Sequence, residues 1–213
     1  MTTGLTITAI ILVLLCTWFM GFWNNVITFV NTIFAACIAS NYFEPVADAI
    51  DGGTNSSTYL LDFVAIWLLF FLSFVVLRTV TDMLSKHQMN FDKWLEMSGR
   101  TVFSLATAWV FVCFMQFSFH TAPFPPGAGN FQARPDSVNF TAAPDRLWLG
   151  FMQSRSRGAL AAALPNGYDA DQLHPADRDL GAMVFDSKCD FIYKYYNRRL
   201  KLSEQETLRV LRK

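Results

Sequence analysis

Residues 59–77 read YLLDFVAIWLLFFLSFVVL, nineteen positions with a single charge, Asp62. At about 1.5 Å of rise per residue, a helix of this length covers the ~30 Å hydrocarbon core of a bilayer. Lipid offers backbone N–H and C=O groups no partner, so the helix is the form in which one segment spans. Working outward, three more apolar runs stand beside it: residues 5–23, 26–43 and 101–119. The first and last carry no charge; the second is softened by Asn31, Thr32 and Asn41. The expected fold is therefore an all-α membrane protein: a four-helix transmembrane domain over residues 1–120 and a mostly helical extramembrane tail over 121–213.

The charge distribution agrees. Lys+Arg and Asp+Glu are 17 each in the whole chain, but residues 1–120 hold only 4 basic and 7 acidic side chains. Only 16% of residues are charged, against about 25% in ordinary soluble domains. A mean hydropathy of +0.27 conceals this split between an oily front and a polar back. The balanced totals argue against a nucleic-acid binder and against an acidic disordered chain.

Residues 5–23 read as a retained span rather than a cleaved leader, because no Lys or Arg precedes them and the apolar run exceeds the usual 7–15 residues. Leu15 before Cys16 is a poor match to a lipoprotein site. Orientation follows from the basic residues. The loop 44–58 has Glu44, Asp48 and Asp51 and no Lys or Arg, whereas 78–100 carries Arg78, Lys86, Lys93 and Arg100. By the positive-inside rule the 78–100 loop is cytoplasmic and both termini are extracytoplasmic. Within that loop, residues 85–97 read as an interfacial helix, with Met89, Trp94 and Met97 at helical spacing.

Residues 121–129 (TAPFPPGAG) read as a semi-extended linker. In the tail, residues 145–164 and 187–200 read as helices. The second places Cys189, Ile192, Tyr196 and Leu200 on one stripe, with Asp186 as N-cap and Arg198–Arg199 at the dipole's negative end. Ser203–Glu206 has the form of a capping box opening a short last helix. So small a tail is expected to lean on the membrane, on the spans or on a second copy.

Chemistry is sparsely signalled. His87, His120 and His174 are scattered, with no metal-ligand spacing, phosphate loop or nucleophile elbow, so no cofactor, metal or catalytic residue is expected. His120 reads as an interfacial polar residue. Cys16, Cys37 and Cys113 lie in spans as small hydrophobes, and Cys189 stands alone in the tail. Three intramembrane polar residues stand out: Asn31 and Gln116, suited to bonds across helices, and Asp62, three residues into its span, where the outer interface hydrates it. Asn55 and Asn139 open glycosylation-type triplets.

Gly21-Phe22 follows the first span, and the second runs through Ala39-Ser-Asn-Tyr-Phe43 to Val46-Ala-Asp-Ala-Ile50. Asp92-Lys93 precedes the fourth. Over about residues 5–120 this layout resembles the CvpA (colicin V production protein) family of four-helix inner-membrane proteins. In that family a basic-flanked Gly-Phe turn joins helices one and two, and an Asp-Arg pair with spaced glycines opens helix four. Here Trp23-Asn24-Asn25 replaces the basic flank, Lys93 replaces the Arg, and Glu96 and Arg100 stand where glycines are expected, leaving Gly99. The resemblance implies a non-enzymatic multi-pass protein of the bacterial inner membrane, tied to colicin V or toxin production or export and to envelope physiology. Its partners would be membrane lipid and further copies of itself or other envelope proteins. A small channel or transporter component is the alternative; it requires Asn31, Asp62 and Gln116 to share one path.

Overall fold

The computed structural model describes residues 2–51, 58–85, 91–124, 143–156, 185–186 and 190–204. Among these there are six helices and no strand: α1 (Thr2–Trp18), α2 (Phe22–Asp51), α3 (Thr58–Leu84), α4 (Lys93–Phe119), α5 (Pro144–Arg155) and α6 (Phe191–Glu204). Three of them, α2, α3 and α4, are long and apolar enough to cross a membrane. The fourth apolar helix, α1, has 17 residues, which is about 25 Å at the helical rise.

Element boundaries differ from the expected spans in ways the residues explain. The first helix stops at Trp18, where Met20 N–H bonds back to Thr17 C=O in a turn, and Phe22 and Trp23 open α2 instead. That helix has 30 residues and runs through Pro45 to Asp51, so Glu44 and Asp48 are helical rather than part of a loop. Of the expected interfacial helix over 85–97, residues 86–90 lie outside the described set, and 93–97 belong to α4 itself. Asp92 is the N-cap of α4, and Lys93, Trp94, Glu96 and Met97 make its opening turns, with Trp94 83% exposed. At its far end α4 tightens into i→i−3 bonds at His120, Thr121 and Ala122 before the Pro-rich stretch begins; residues 125–142 lie outside the described set.

α2 lies at the centre of the bundle, against α3 on one side and α4 on the other, while α1 lies along α4. Between helices in lipid there is little hydrophobic gain, so close approach and van der Waals contact must hold them. Small side chains supply that approach. Ala35, Ala36, Ala39 and Ala47 of α2, Ala65 of α3 and Ala108 of α4 are fully buried. Outward faces are apolar: Leu60, Val64, Leu68, Phe71, Leu72, Val75 and Val76 of α3 are all exposed, as are Ile7, Ile11, Leu12 and Leu15 of α1. A surface of this kind suits hydrocarbon.

Two amides bond across helices. Asn31 Nδ2 donates to Thr81 Oγ1 at 3.0 Å, joining α2 to α3, and Gln116 Nε2 donates to Thr6 Oγ1 at 2.6 Å, joining α4 to α1.

The tail packs onto the bundle. α5 opens on Pro144, with Ala143 as its N-cap residue at φ 40°, and lies along α4. Trp148, Leu149 and Met152 of α5 and Phe191 and Tyr195 of α6 belong to the same buried cluster as Phe43, Phe70, Phe114 and Phe117. Phe191 stacks on Phe117 with centroids 4.8 Å apart, and Trp148 meets Phe114 edge-on at 5.9 Å. The buried stripe of α6 is Phe191, Tyr195 and Arg199, one residue out of step with the expected one; Ile192, Tyr196 and Leu200 are only half-buried. The ring stacking decides that register. Ser203 lies within α6 and donates to Leu200 C=O; Cys189 and residues 205–213, with the rest of the expected last helix, lie outside the described set.

Candidate functional site

Charged side chains concentrate at the end of the bundle where the tail docks. Asp62 from α3 and Glu44 from α2 face α6, which presents Lys194, Tyr195 and Arg198 on adjacent turns. Arg198 Nη1 donates to Asp62 Oδ2 in a short ion pair whose side chains are 23% and 6% exposed. Lys194 Nζ lies 2.6 Å from Glu44 Oε1 in a pair that is about half exposed. Asp62 is therefore not hydrated at the interface as its position three residues into the span suggests. It is buried, and its charge is met by a cation 136 residues away in sequence.

Tyr195 joins the two pairs. Its hydroxyl lies 3.1 Å from Glu44 Oε1 and 3.3 Å from Asp62 Oδ2. A phenol has one hydrogen, so it donates fully to one carboxylate at a time. Lys194 and Arg198 also stand over the Tyr195 ring, 5.5 and 5.4 Å from its centroid. Burial, with Glu44 and Asp62 alongside, pushes the phenol well above its ordinary range and keeps it a donor; Arg198 opposes this more weakly.

A second pair lies beside the first. His120, just past the end of α4, is 2% exposed, and its Nε2 is 2.9 Å from Asp145 Oδ2 on α5. Burial acts to raise the Asp145 carboxyl, but the hydrogen bond and charge of His120, with the Arg146 backbone N–H, outweigh it and hold the group below its usual range. Arg199 Nη1 donates to the His120 carbonyl at 2.8 Å, placing a cation on the negative end of α4. One turn deeper, Trp148 Nε1 donates to Ser40 Oγ at 3.0 Å. Asp186 Oδ1 accepts from the N–H groups of Asp190 and Phe191; α6 opens at Phe191, so Asp186 serves its start from five residues upstream rather than from the N-cap position itself.

The opposite end of the bundle holds the Gly-Phe turn. Phe22 N–H donates to Glu96 Oε1 at 2.8 Å, and Arg100 Nη2 holds the same oxygen at 3.2 Å. A Cβ on Gly21 would stand 3.3 Å from that oxygen, and one on Gly99 would lie 2.4 Å from the Phe22 ring. Nearby, Trp23 Nε1 reaches Ser85 Oγ at 2.8 Å, and Arg78 joins Asp82 and Thr28 at 3.0 and 3.1 Å. Gly21, Phe22, Asp92 and Lys93 thus gather at one end, with Glu96 as the link.

A family model described as Colicin V production protein matches residues 4–140. The chain belongs to that family. No curated protein and no solved structure matches it. The matched region contains α1 to α4, and with them the Gly-Phe turn, Asn31, Glu44, Asp62, Gln116 and His120. α5 and α6 lie beyond it. Among the described residues, the tail-end ion pairs His120–Asp145, Glu44–Lys194 and Asp62–Arg198 each join a side chain of the colicin V production region to one from outside it.

Asn31, Asp62 and Gln116 do not converge: each bonds a different neighbour, and no hydrogen bond links any two of them. Among the described residues no three His, Cys, Asp or Glu side chains gather as a metal site. Sequence reading missed Glu44, Lys194, Tyr195 and Arg198 as a unit. The available signal was the i, i+4 spacing of Lys194 and Arg198 around a tyrosine, four residues after a buried aromatic. Cations at that spacing on a helix whose partner face holds an unpaired Asp form an electrostatic match, but one that only the fold brings together.

Proposed function

We propose that this colicin V production family protein is a non-catalytic, multi-pass component of the bacterial cytoplasmic membrane. It acts in toxin production or export and in envelope physiology by assembling with other copies or with envelope partners. In this reading α1 crosses the bilayer beside α4, giving four spans. The turn between α3 and α4 is cytoplasmic, and both termini, with the docked tail, are extracytoplasmic. The basic side chains Arg78, Lys93 and Arg100 at the α3–α4 end support that orientation.

The observation that carries a non-catalytic role is the occupation of the charged groups. Glu44, Asp62, His120 and Asp145 each meet a partner from another helix, an arrangement that holds helices together. A channel or transporter component would need its polar groups along one route, and Asn31, Asp62 and Gln116 are tied elsewhere.

The full chain in vesicles of phosphatidylethanolamine and phosphatidylglycerol tests this. Ion flux should equal that of empty vesicles, and mild-detergent purification should recover a second copy or an envelope protein with the chain. A flux above background that disappears in Asn31→Ala or Asp62→Ala would replace assembly with conduction.

A further inference from the structure

We propose that α6 is a latch: a helix that closes the tail end of the bundle through side-chain charges and releases as a unit, uncovering Asp62. This goes beyond membrane assembly and does not depend on it.

Three observations point the same way. First, α6 is fixed to α2, α3 and α4 by separate polar contacts from one helix face: Lys194 to Glu44, Arg198 to Asp62 and Arg199 to the His120 carbonyl. Two of those acceptors, Asp62 and the His120 carbonyl, need a donor for separate reasons. Asp62 is a buried carboxylate at membrane depth, and the His120 carbonyl lies where α4 leaves its last carbonyls without helical partners. Second, the contacts share one hinge residue. Tyr195 touches both carboxylates through its hydroxyl and lies under both cations through its ring, so the pairs form and break together. Third, the helices beneath also hold one another away from α6. Phe191 and Tyr195 share the aromatic cluster at the docking end, but the Asn31–Thr81 bond between α2 and α3 and the Gln116–Thr6 bond between α4 and α1 involve no residue of α6. Removal of α6 strips the charge partner of Asp62 and leaves those bonds in place.

The consequence is a coupling. Whatever draws the tail away exposes a carboxylate within the bundle, and whatever neutralises or occupies Asp62 loosens the tail by the same free energy.

Hydrogen exchange of the full chain in lipid nanodiscs, read on peptides over 190–204 and over 25–43, tests it, with labelling of Asp62 by a water-soluble carbodiimide and an amine. In Arg198→Gln, exchange over 190–204 should rise about a hundredfold, as expected when one partner of a mostly buried pair is lost. Asp62 should become labelled, and 25–43 should stay protected. Lys194→Glu should also open α6, and the exchange Glu44→Lys with Lys194→Glu should close it again. Unchanged protection of 190–204 in Arg198→Gln overturns the latch. So does loss of protection in both peptides together, which would make α6 part of one cooperative unit, and so does failure of the charge exchange to restore protection.

Discussion

The missing side chain of Gly99 sets how closely α4 approaches the start of α2. The Phe22 ring occupies the space a Cβ would fill, and it also packs edge-on against Phe91 at 5.0 Å and against Phe103 at 5.8 Å. Gly99→Ala must therefore displace an aromatic ring already hemmed in by two others. Overpacking of this kind costs about 1–3 kcal/mol. The unfolding temperature of the purified protein in detergent should fall accordingly, and Phe22→Ala combined with Gly99→Ala should cost less than the two changes summed, because they share one contact. An unaltered unfolding temperature in Gly99→Ala would show that the ring does not lie there. Gly21, Phe22 and Gly99 were legible from the sequence as a resemblance to a turn and a glycine ladder. Their meeting was not, because Glu96 looked like an interruption of the ladder. It is instead the acceptor that satisfies Phe22 N–H at the first turn of α2, one of the donors every helix start leaves open.

At the scale of elements, docking of the tail is the feature that periodicity described least well. Four apolar runs and two tail helices were readable, since hydrophobic length and turn residues are local properties. The ends of α2 and α4 were not, because Pro45 and the Asp92–Arg100 stretch look like breaks until neighbouring helices supply their partners. The register of α6 shifted by one residue for the same reason: Phe191 and Tyr195 are chosen by Phe117 and Phe43, which lie on other helices. α5 gives a pH test of docking. The Asp145 carboxyl is held below its usual range, so its contribution is fully present above the unfolded value of about 3.9 and is lost as pH falls through the lower folded value. Thermal unfolding should therefore weaken at acid pH, and Asp145→Asn should remove that part of the dependence. At neutral pH the same substitution should cost about 1.5–3 kcal/mol, the worth of a hydrogen bond to a charged group. An acid limb identical in the variant would show that the His120–Asp145 pair does not hold α5.

For the whole molecule, the solvent decides the fold. Apolar side chains cover the outward faces of α1, α3 and α4, and the helices touch through alanines and a few hydrogen-bonded amides, an arrangement that water would not tolerate and hydrocarbon requires. The charges gather at the two ends: Arg78, Glu96 and Arg100 at one, and Glu44, Asp62, His120 and the tail at the other. Membership in the colicin V production family covers the bundle, and the tail adds a charged cap to it. All of this rests on α2, α3 and α4 lying within a bilayer, and alkaline carbonate extraction of membranes from cells producing the full chain tests it directly. The protein should remain in the membrane pellet and come into solution only with detergent; its release into the carbonate supernatant would contradict the account.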